Sequence, residues 1–97
     1  GQLKSHYYPG IPVFMNKRGP LINGAFITFG KKNKNTKNIF NLSKKGILKK
    51  FANNLYSTMR KIKKRGYTSI SVRKIPDYGI GSAINERLKK ASYKWKM

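Results

Sequence analysis

The stretch that decides the fold of this chain is residues 43–74, which read SKKGILKKFANNLYSTMRKIKKRGYTSISVRK. Apolar residues recur in it at spacings of three and four, which predicts an amphipathic helix over about 44–65. The apolar stripe consists of Leu48, Phe51, Leu55, Met59 and Ile62. Ser43 is a suitable N-cap, and Gly66 after a basic last turn is typical of a helix end.

A strand is predicted directly after this helix. Residues 67–74 alternate between apolar and polar side chains, so that Ile70 and Val72 face the helix stripe. A helix, a glycine and a strand in this order are typical of an α/β domain. Residues 75–81 then form a predicted loop, and Ser82 is predicted to cap a second helix. The apolar stripe of that helix would consist of Ile84, Leu88, Ala91 and Trp95.

Three β-prone runs precede the long helix, at residues 11–15, 25–29 and 38–42. Residues 1–10 are predicted to form an extended arm, and residues 11–97 a single domain. The segment between the second and third runs reads GKKNKNTK and holds no acid. We interpret it as a hairpin with a basic tip, and its charge favours contact with a phosphate backbone over simple solvation.

The charge of the chain is strongly one-sided. Its 97 residues hold 23 Lys and Arg against two acids, for a formal net charge of +21. Such a charge opposes the compaction of an isolated domain, and a bound polyanion relieves the repulsion. The chain contains no Cys, which excludes disulfides and thiolate metal sites. No apolar run approaches the roughly 20 residues of a membrane span.

Residues that could carry out catalysis are scarce. The two acids, Asp77 and Glu86, are too few for an acid–base pair or a metal site, and the single His6 falls in the predicted arm. The glycines do not match a Walker loop, which ends in Gly-Lys followed by Ser or Thr. We therefore expect no catalytic residue, no metal and no cofactor, and a protein that is not an enzyme.

A longer motif extends over residues 51–88. Phe51-Ala52 opens the long helix, Val72-Arg73 ends the strand, Gly79 lies in the following loop, and Ser82-Ala83-Ile84 opens the second helix. With these residues the chain resembles the small-subunit ribosomal protein eleven family. The resemblance implies a small ribonuclease-H-like α/β domain, with three antiparallel strands followed by helix, strand and helix.

The same resemblance implies a function. It predicts a structural constituent of the ribosome that binds small-subunit rRNA on the platform through phosphate contacts, beside neighbouring ribosomal proteins and without a small-molecule substrate. An abundance of Lys, Ile and Asn, whose codons are rich in A and T, favours a mitochondrial or other organellar small subunit. Glycines before a helix start let phosphate approach backbone N–H groups. The residues predicted to contact RNA are Lys31, Lys32, Lys34, Lys37, Lys44, Lys45, Lys49, Arg73, Lys74, Gly79, Gly81, Ser82, Arg87 and Lys89.

Other classes of function remain open at this point. The order helix, glycine, strand, loop and helix also resembles the large-subunit ribosomal protein eighteen family, which binds 5S rRNA. A protein that compacts DNA would share the excess of positive charge. Gly1 followed by Ser5 fits the loose myristoylation pattern after removal of a preceding Met, so that a lipid and a basic patch would anchor the chain to a membrane surface.

Overall fold

The computed structural model describes residues 10–31 and 35–93. Residues 1–9 of the predicted arm, which extends over residues 1–10, therefore lie outside the described residues. Trp95 lies outside them as well. The elements in the described part are β1 (Val13–Lys17), β2 (Ala25–Thr28), β3 (Ile39–Asn41), α1 (Leu48–Lys64), β4 (Ile70–Arg73) and α2 (Gly79–Tyr93).

The strands form one sheet in the order β1-β4-β2-β3, and each neighbouring pair is parallel. Ala25 of β2 lies opposite Ile70 of β4, and Ile27 lies opposite Val72. Strand β4 is therefore inserted between β1 and β2, and its short run of buried residues is what a central strand of a parallel sheet requires. The α/β class is confirmed.

The predicted pairing of the first three strands is wrong. β2 and β3 pair in parallel, so residues 29–38 carry the chain from the end of β2 back to the end of the sheet where β2 begins. They therefore do not close a hairpin. Glycine, asparagine and lysine between two β-prone runs are typical of both kinds of connection. The ten residues here are more than a tight hairpin needs and slightly fewer than a typical parallel connection has, so their number does not decide between the two. The ribonuclease-H-like arrangement, which begins with three antiparallel strands, is wrong for the same reason.

Helix α1 confirms the predicted stripe but starts later than expected. Phe51, Leu55, Met59 and Ile62 are buried along it. The hydroxyl oxygen of Ser43 accepts a hydrogen bond from the backbone N–H of Ile47 at 2.9 Å, which forms a turn before the helix proper. The helix itself begins at Leu48 and lacks a side-chain cap.

Both helices pack on one face of the sheet. The apolar stripes of α1 and α2 share a single cluster with the residues that alternate inward on the strands. The sheet residues of this cluster are Val13, Ala25, Ile27, Ile70 and Val72, and the α2 residues are Ile84, Leu88 and Ala91. Phe51 lies at its centre, fully buried, with its ring edge-on to Phe29 at 5.3 Å between centroids.

The opposite face of the sheet is more polar. Phe26, Thr28 and Ser71 alternate with the core residues and so point away from the helices, yet all three are buried. The hydroxyls of Thr28 and Ser71 make no hydrogen bond within the described part of the chain. The sequence alternation in β4 therefore identified the helix-facing side correctly, although it did not predict that the second side would also be buried.

Candidate functional site

The parallel sheet brings the loops that follow its strands to one end, here called the carboxyl end of the sheet. Residues 29–31, 42–47 and 74–78 all lie there, and both helices begin there. In open parallel sheets, ligands generally bind in the crevice outside the carboxyl ends of the strands. The carboxyl end of the sheet is therefore the candidate position for a functional site.

The loops after β2 and β3 are tied together by backbone and amide hydrogen bonds. The N–H of Gly30 donates to the carbonyl of Ser43 at 2.8 Å, and the amide nitrogen of Asn41 donates to the carbonyl of Gly30 at 2.8 Å. The amide oxygen of Asn41 in turn accepts from the N–H of Ser43 at 3.0 Å. These bonds fix the two loops that carry Lys31 and Lys44 relative to each other.

A groove of about 590 Å³ lies beside these loops, between the end of β3 and the start of α1. We call it the carboxyl-end groove. It is lined by Asn41, Leu42, Ser43, Lys44, Lys45, Ile47, Lys50 and Asn54. Three lysines and no acid line it, so its potential is positive and suits an anionic ligand.

Two of the three lysines that line the carboxyl-end groove are among the residues predicted to contact RNA. Lys44 and Lys45, which were predicted to contact RNA, line the groove, while Lys49, predicted with them, does not, although it lies in the first turn of α1. Lys50 lines it instead and was missed. Its neighbour Asn54 donates from its amide to the carbonyl of Leu42 at 3.0 Å, which holds α1 against the loop. The one-turn spacing of Lys50 and Asn54 was the sequence signal that both share a face.

Arg73 has a structural role at the same end. Its guanidinium donates to the carbonyl of Phe29 and lies 4.5 Å from the centroid of the Phe29 ring. Arg73 is half-buried. The side chain therefore joins the ends of β4 and β2, and this contact occupies part of the donor set that was predicted to reach RNA.

The predicted phosphate loop before α2 has a tight local structure. The helix begins at Gly79, so Ser82 lies in its first turn and is not the cap. Gly81 is buried, and a Cβ atom there would lie 1.9 Å from the carbonyl oxygen of Pro76. The N–H of Ser82 already donates to the carbonyl of Tyr78 at 3.3 Å. Close packing explains the glycine at position 81 without a ligand.

The remaining predicted contacts lie elsewhere. Lys32 and Lys34 are outside the described residues. Lys37 is exposed at the opposite end of the sheet, just before β3. Arg87 and Lys89 are exposed on α2, beyond its first turn, and the exposed Lys74 follows β4. The predicted residues that lie around the carboxyl end are thus Lys31, Lys44, Lys45, Lys49, Arg73, Lys74, Gly79, Gly81 and Ser82. Lys37, Arg87 and Lys89 lie away from them, and RNA contact by each residue stays a prediction.

Within residues 10–31 and 35–93, no three residues of the types His, Cys, Asp and Glu come close enough to hold a metal ion. None of the helices described has the length and apolar character needed to cross a membrane.

The fold and the site define a small parallel α/β domain with a basic surface around the carboxyl end of its sheet. The family model described as "Threonylcarbamoyl-AMP synthase, C-terminal domain" matches residues 1–92. Because the match extends over nearly the whole chain, the chain belongs to this family. No curated protein sequence matches it.

A solved structure agrees with the family at the level of fold. The crystal structure of P. abyssi Sua5 complexed with L-threonine superposes with a TM-score of 0.66 and 20% sequence identity. The similarity covers 89% of this chain and 29% of that one. The chain thus spans less than a third of the Sua5 protein that it resembles.

The family assignment corrects the functional expectations from sequence. Membership of the small-subunit ribosomal protein eleven family is wrong, and so is the role as a structural rRNA-binding constituent beside ribosomal proteins. The location in a mitochondrial ribosomal subunit is wrong with it. The large-subunit, DNA-compacting and lipidated alternatives gain no support.

Two further expectations fail on the same findings. A protein without enzymatic function is the wrong class, because the matching family is a domain of a synthase. The absence of a small-molecule substrate is also the wrong expectation, because the structurally similar Sua5 was crystallised with L-threonine. The misleading motif was the run of helix, glycine, strand and Ser-Ala-Ile, which reflects a helix–strand–helix arrangement common to many α/β folds.

Proposed function

We propose that this chain acts as the C-terminal domain of a threonylcarbamoyl-AMP synthase and supports the formation of that product in tRNA modification. The family match over residues 1–92 is the observation that carries the proposal. The shared fold with P. abyssi Sua5 supports it. The product joins threonine through a carbonyl to AMP, so its synthesis requires L-threonine, a one-carbon carbonyl source and an adenylate donor.

The domain's own contribution lies in binding and positioning. Of the two acids, Asp77 accepts a hydrogen bond from the amide of Asn85 at 3.3 Å, and Glu86 is exposed on α2. The basic groups at the carboxyl end, by contrast, are numerous, and the carboxyl-end groove has three lysines and no acid in its lining. They supply a positive surface for the phosphates of an RNA acceptor, whose attraction to such a surface does not depend on its sequence.

A chimera tests the proposal. The matching region of P. abyssi Sua5 would be replaced by this chain, and pyrophosphate release from ATP would be measured with L-threonine and bicarbonate. We expect the chimera to be at least about tenfold more active than the enzyme truncated before that region, a barrier difference of roughly 1.4 kcal/mol.

The matched control is a chimera that carries an unrelated α/β domain of similar size. Equal activity in the truncated enzyme, the control and the chimera would show that the chain does not serve this enzyme. Loss of the activity on omitting L-threonine distinguishes the reaction from plain ATP hydrolysis.

A further inference from the structure

A second cleft lies at the end of the sheet opposite the carboxyl-end groove. It has a volume of about 580 Å³. We call it the amino-end cleft. Its side chains come from the segments that lead into three strands: Asn23 before β2, Lys37 and Asn38 before β3, and Arg65, Tyr67 and Thr68 before β4.

The Tyr67 ring and the Arg65 guanidinium form one wall of this cleft, and both contact the ring of Phe40. The rings of Tyr67 and Phe40 meet edge to face, with 6.2 Å between centroids and 87° between planes. The guanidinium carbon of Arg65 lies 5.7 Å from the centroid of the Phe40 ring. Nucleic-acid bases stack on both aromatic rings and arginine planes, so this wall offers the surfaces that an unpaired base needs.

The wall is held in place by hydrogen bonds to the neighbouring segments. The hydroxyl of Tyr67 donates to the backbone carbonyl of Lys37 at 2.7 Å. The N–H and the hydroxyl of Thr68 both donate to the carbonyl of Asn23, at 2.9 and 3.1 Å. A ring that is fixed before binding loses little conformational freedom when a base stacks on it.

Polar and charged groups complete the cleft. The side chains of Asn23, Lys37 and Arg65 are exposed, and no acid lines the cleft. Asn23 also has a φ of 62°, a left-handed conformation that asparagine tolerates better than most residues. An amide can pair with a base edge, while the lysine and the arginine attract the flanking phosphates.

We propose that the amino-end cleft binds an unpaired nucleotide of single-stranded RNA, with the base stacked against Arg65 and Tyr67. A rigid duplex fits poorly, because its bases are already stacked and paired. A lipid headgroup would use the charges but not the rings. The proposal does not depend on the synthase function and concerns a different end of the sheet.

Fluorescence anisotropy on the whole chain tests the proposal, with a labelled 12-nucleotide oligouridine and an RNA duplex of the same length. Arg65→Lys keeps the charge but removes the planar guanidinium. We expect it to weaken binding of the single strand at least about fivefold, the lower range for loss of one stacked base. Binding of the duplex should change little, and the salt dependence should stay the same.

Helix α1, which ends one residue before Arg65, provides a matched control. The guanidinium carbon of Arg60 lies 5.4 Å from the ring centroid of Tyr56, outside the cleft, so Arg60→Lys makes the same chemical change elsewhere. It should leave single-strand affinity unchanged. Tyr67→Leu should weaken single-strand binding clearly, whereas Tyr67→Phe, which keeps the ring but loses its hydrogen bond to Lys37, should weaken it less. Helix content by circular dichroism checks that each variant is folded.

Several outcomes overturn the assignment. Equal losses for the single strand and the duplex in Arg65→Lys would show a surface that senses charge alone. Displacement of the oligouridine by AMP at similar concentration would make a free mononucleotide the ligand. Tighter binding to anionic phosphatidylserine vesicles, itself sensitive to Arg65→Lys, would make the cleft a membrane site. Unchanged single-strand binding in both Arg65→Lys and Tyr67→Leu would remove the cleft from RNA binding altogether.

Discussion

The carboxyl-end groove is lined by three lysines and no ring, whereas the amino-end cleft combines an arginine, a lysine and a tyrosine backed by a phenylalanine. Both lie on the same sheet and belong to the same highly basic chain. A lysine is a flexible point charge, while an arginine plane and a fixed ring add shape. The first surface therefore suits phosphates in any setting, and the second suits a base that is free to stack.

This difference separates two effects that net charge alone would merge. Binding through phosphate contacts weakens steeply as salt rises, because it releases counterions. Binding through stacking changes little with salt. Variants in the carboxyl-end groove should therefore change the salt-dependent affinity for RNA. Variants in the amino-end cleft should change the selectivity for unpaired RNA.

The largest expected effect concerns the glycines at the two ends. Gly81 lies in the first turn of α2 at the carboxyl end, and a Cβ there would lie 1.9 Å from the Pro76 carbonyl oxygen. We expect Gly81→Ala to lower the free energy of unfolding by about 2 kcal/mol, as overpacking against backbone does. Gly66 at the amino end has open space but a φ of +91°. Gly66→Ala should cost about 1 kcal/mol, from the left-handed conformation alone.

Urea denaturation monitored by circular dichroism measures both glycine variants. Exposed Asn53 of α1 gives the reference, since Asn53→Ala changes no packed contact. If Gly81→Ala were as stable as the parent chain, the loop before α2 would be able to move away, and the tight packing described for it would be incorrect.

The second prediction addresses the charge of the carboxyl-end groove. Lys44→Gln combined with Lys45→Gln should weaken binding of the 12-nucleotide oligouridine about tenfold at low salt. The slope of log affinity against log salt should fall by roughly 1.4, or about 0.7 for each lost contact to a single strand. Arg65→Lys at the other end should leave that slope unchanged, which is the contrast between the two ends.

The control removes two charges from exposed positions on the helices, with Lys61→Gln and Lys90→Gln. A smaller loss of affinity and of slope in this control would support local contacts at the groove. Equal losses in the two double variants would mean that the charges act only through the net field of the domain.

The smallest effect concerns Arg73, which donates to the Phe29 carbonyl and lies over its ring. Arg73→Lys keeps the charge but loses the planar contact, and we expect it to lower the free energy of unfolding by about 1 kcal/mol. Lys74→Gln, at the exposed neighbouring position, should leave stability unchanged. An unaltered urea midpoint in Arg73→Lys would contradict the structural role of Arg73. Its guanidinium would then be available to bind a ligand, as the lysines of the carboxyl-end groove are.

Local sequence predicted the parts of the fold that depend on periodicity. The stripes from Phe51 to Ile62 and from Ile84 to Ala91 are buried as expected, because a helix places every third or fourth residue on one side. Ile70 and Val72 likewise face the helices. Element ends were less predictable, since Ser43 bonds to Ile47 in a separate turn and Gly79 starts α2 before Ser82.

Sequence could group the residues of a candidate surface only where they are close in the chain. Lys44 and Lys45, predicted to contact RNA, lie shortly after β3 and line the carboxyl-end groove, while contact with RNA stays a prediction. The amino-end cleft was missed, because Asn23, Lys37 and Arg65 are far apart in the chain and meet only through the strand order. Of its residues, only Lys37 was predicted as a contact, and it was predicted to share one hairpin surface with Lys31, Lys32 and Lys34.

The sequence by itself determined that this protein is a small α/β domain with two amphipathic helices, a strand between them and a large positive charge. These properties follow from short-range spacing and composition, which act wherever the chain folds. Only the tertiary structure decided that β2 and β3 run parallel, because the direction of pairing depends on contacts between distant segments, and the ten residues from 29 to 38 are intermediate in length between the two kinds of connection. The parallel direction of β2 and β3 places the carboxyl-end groove and the amino-end cleft at opposite ends of the sheet.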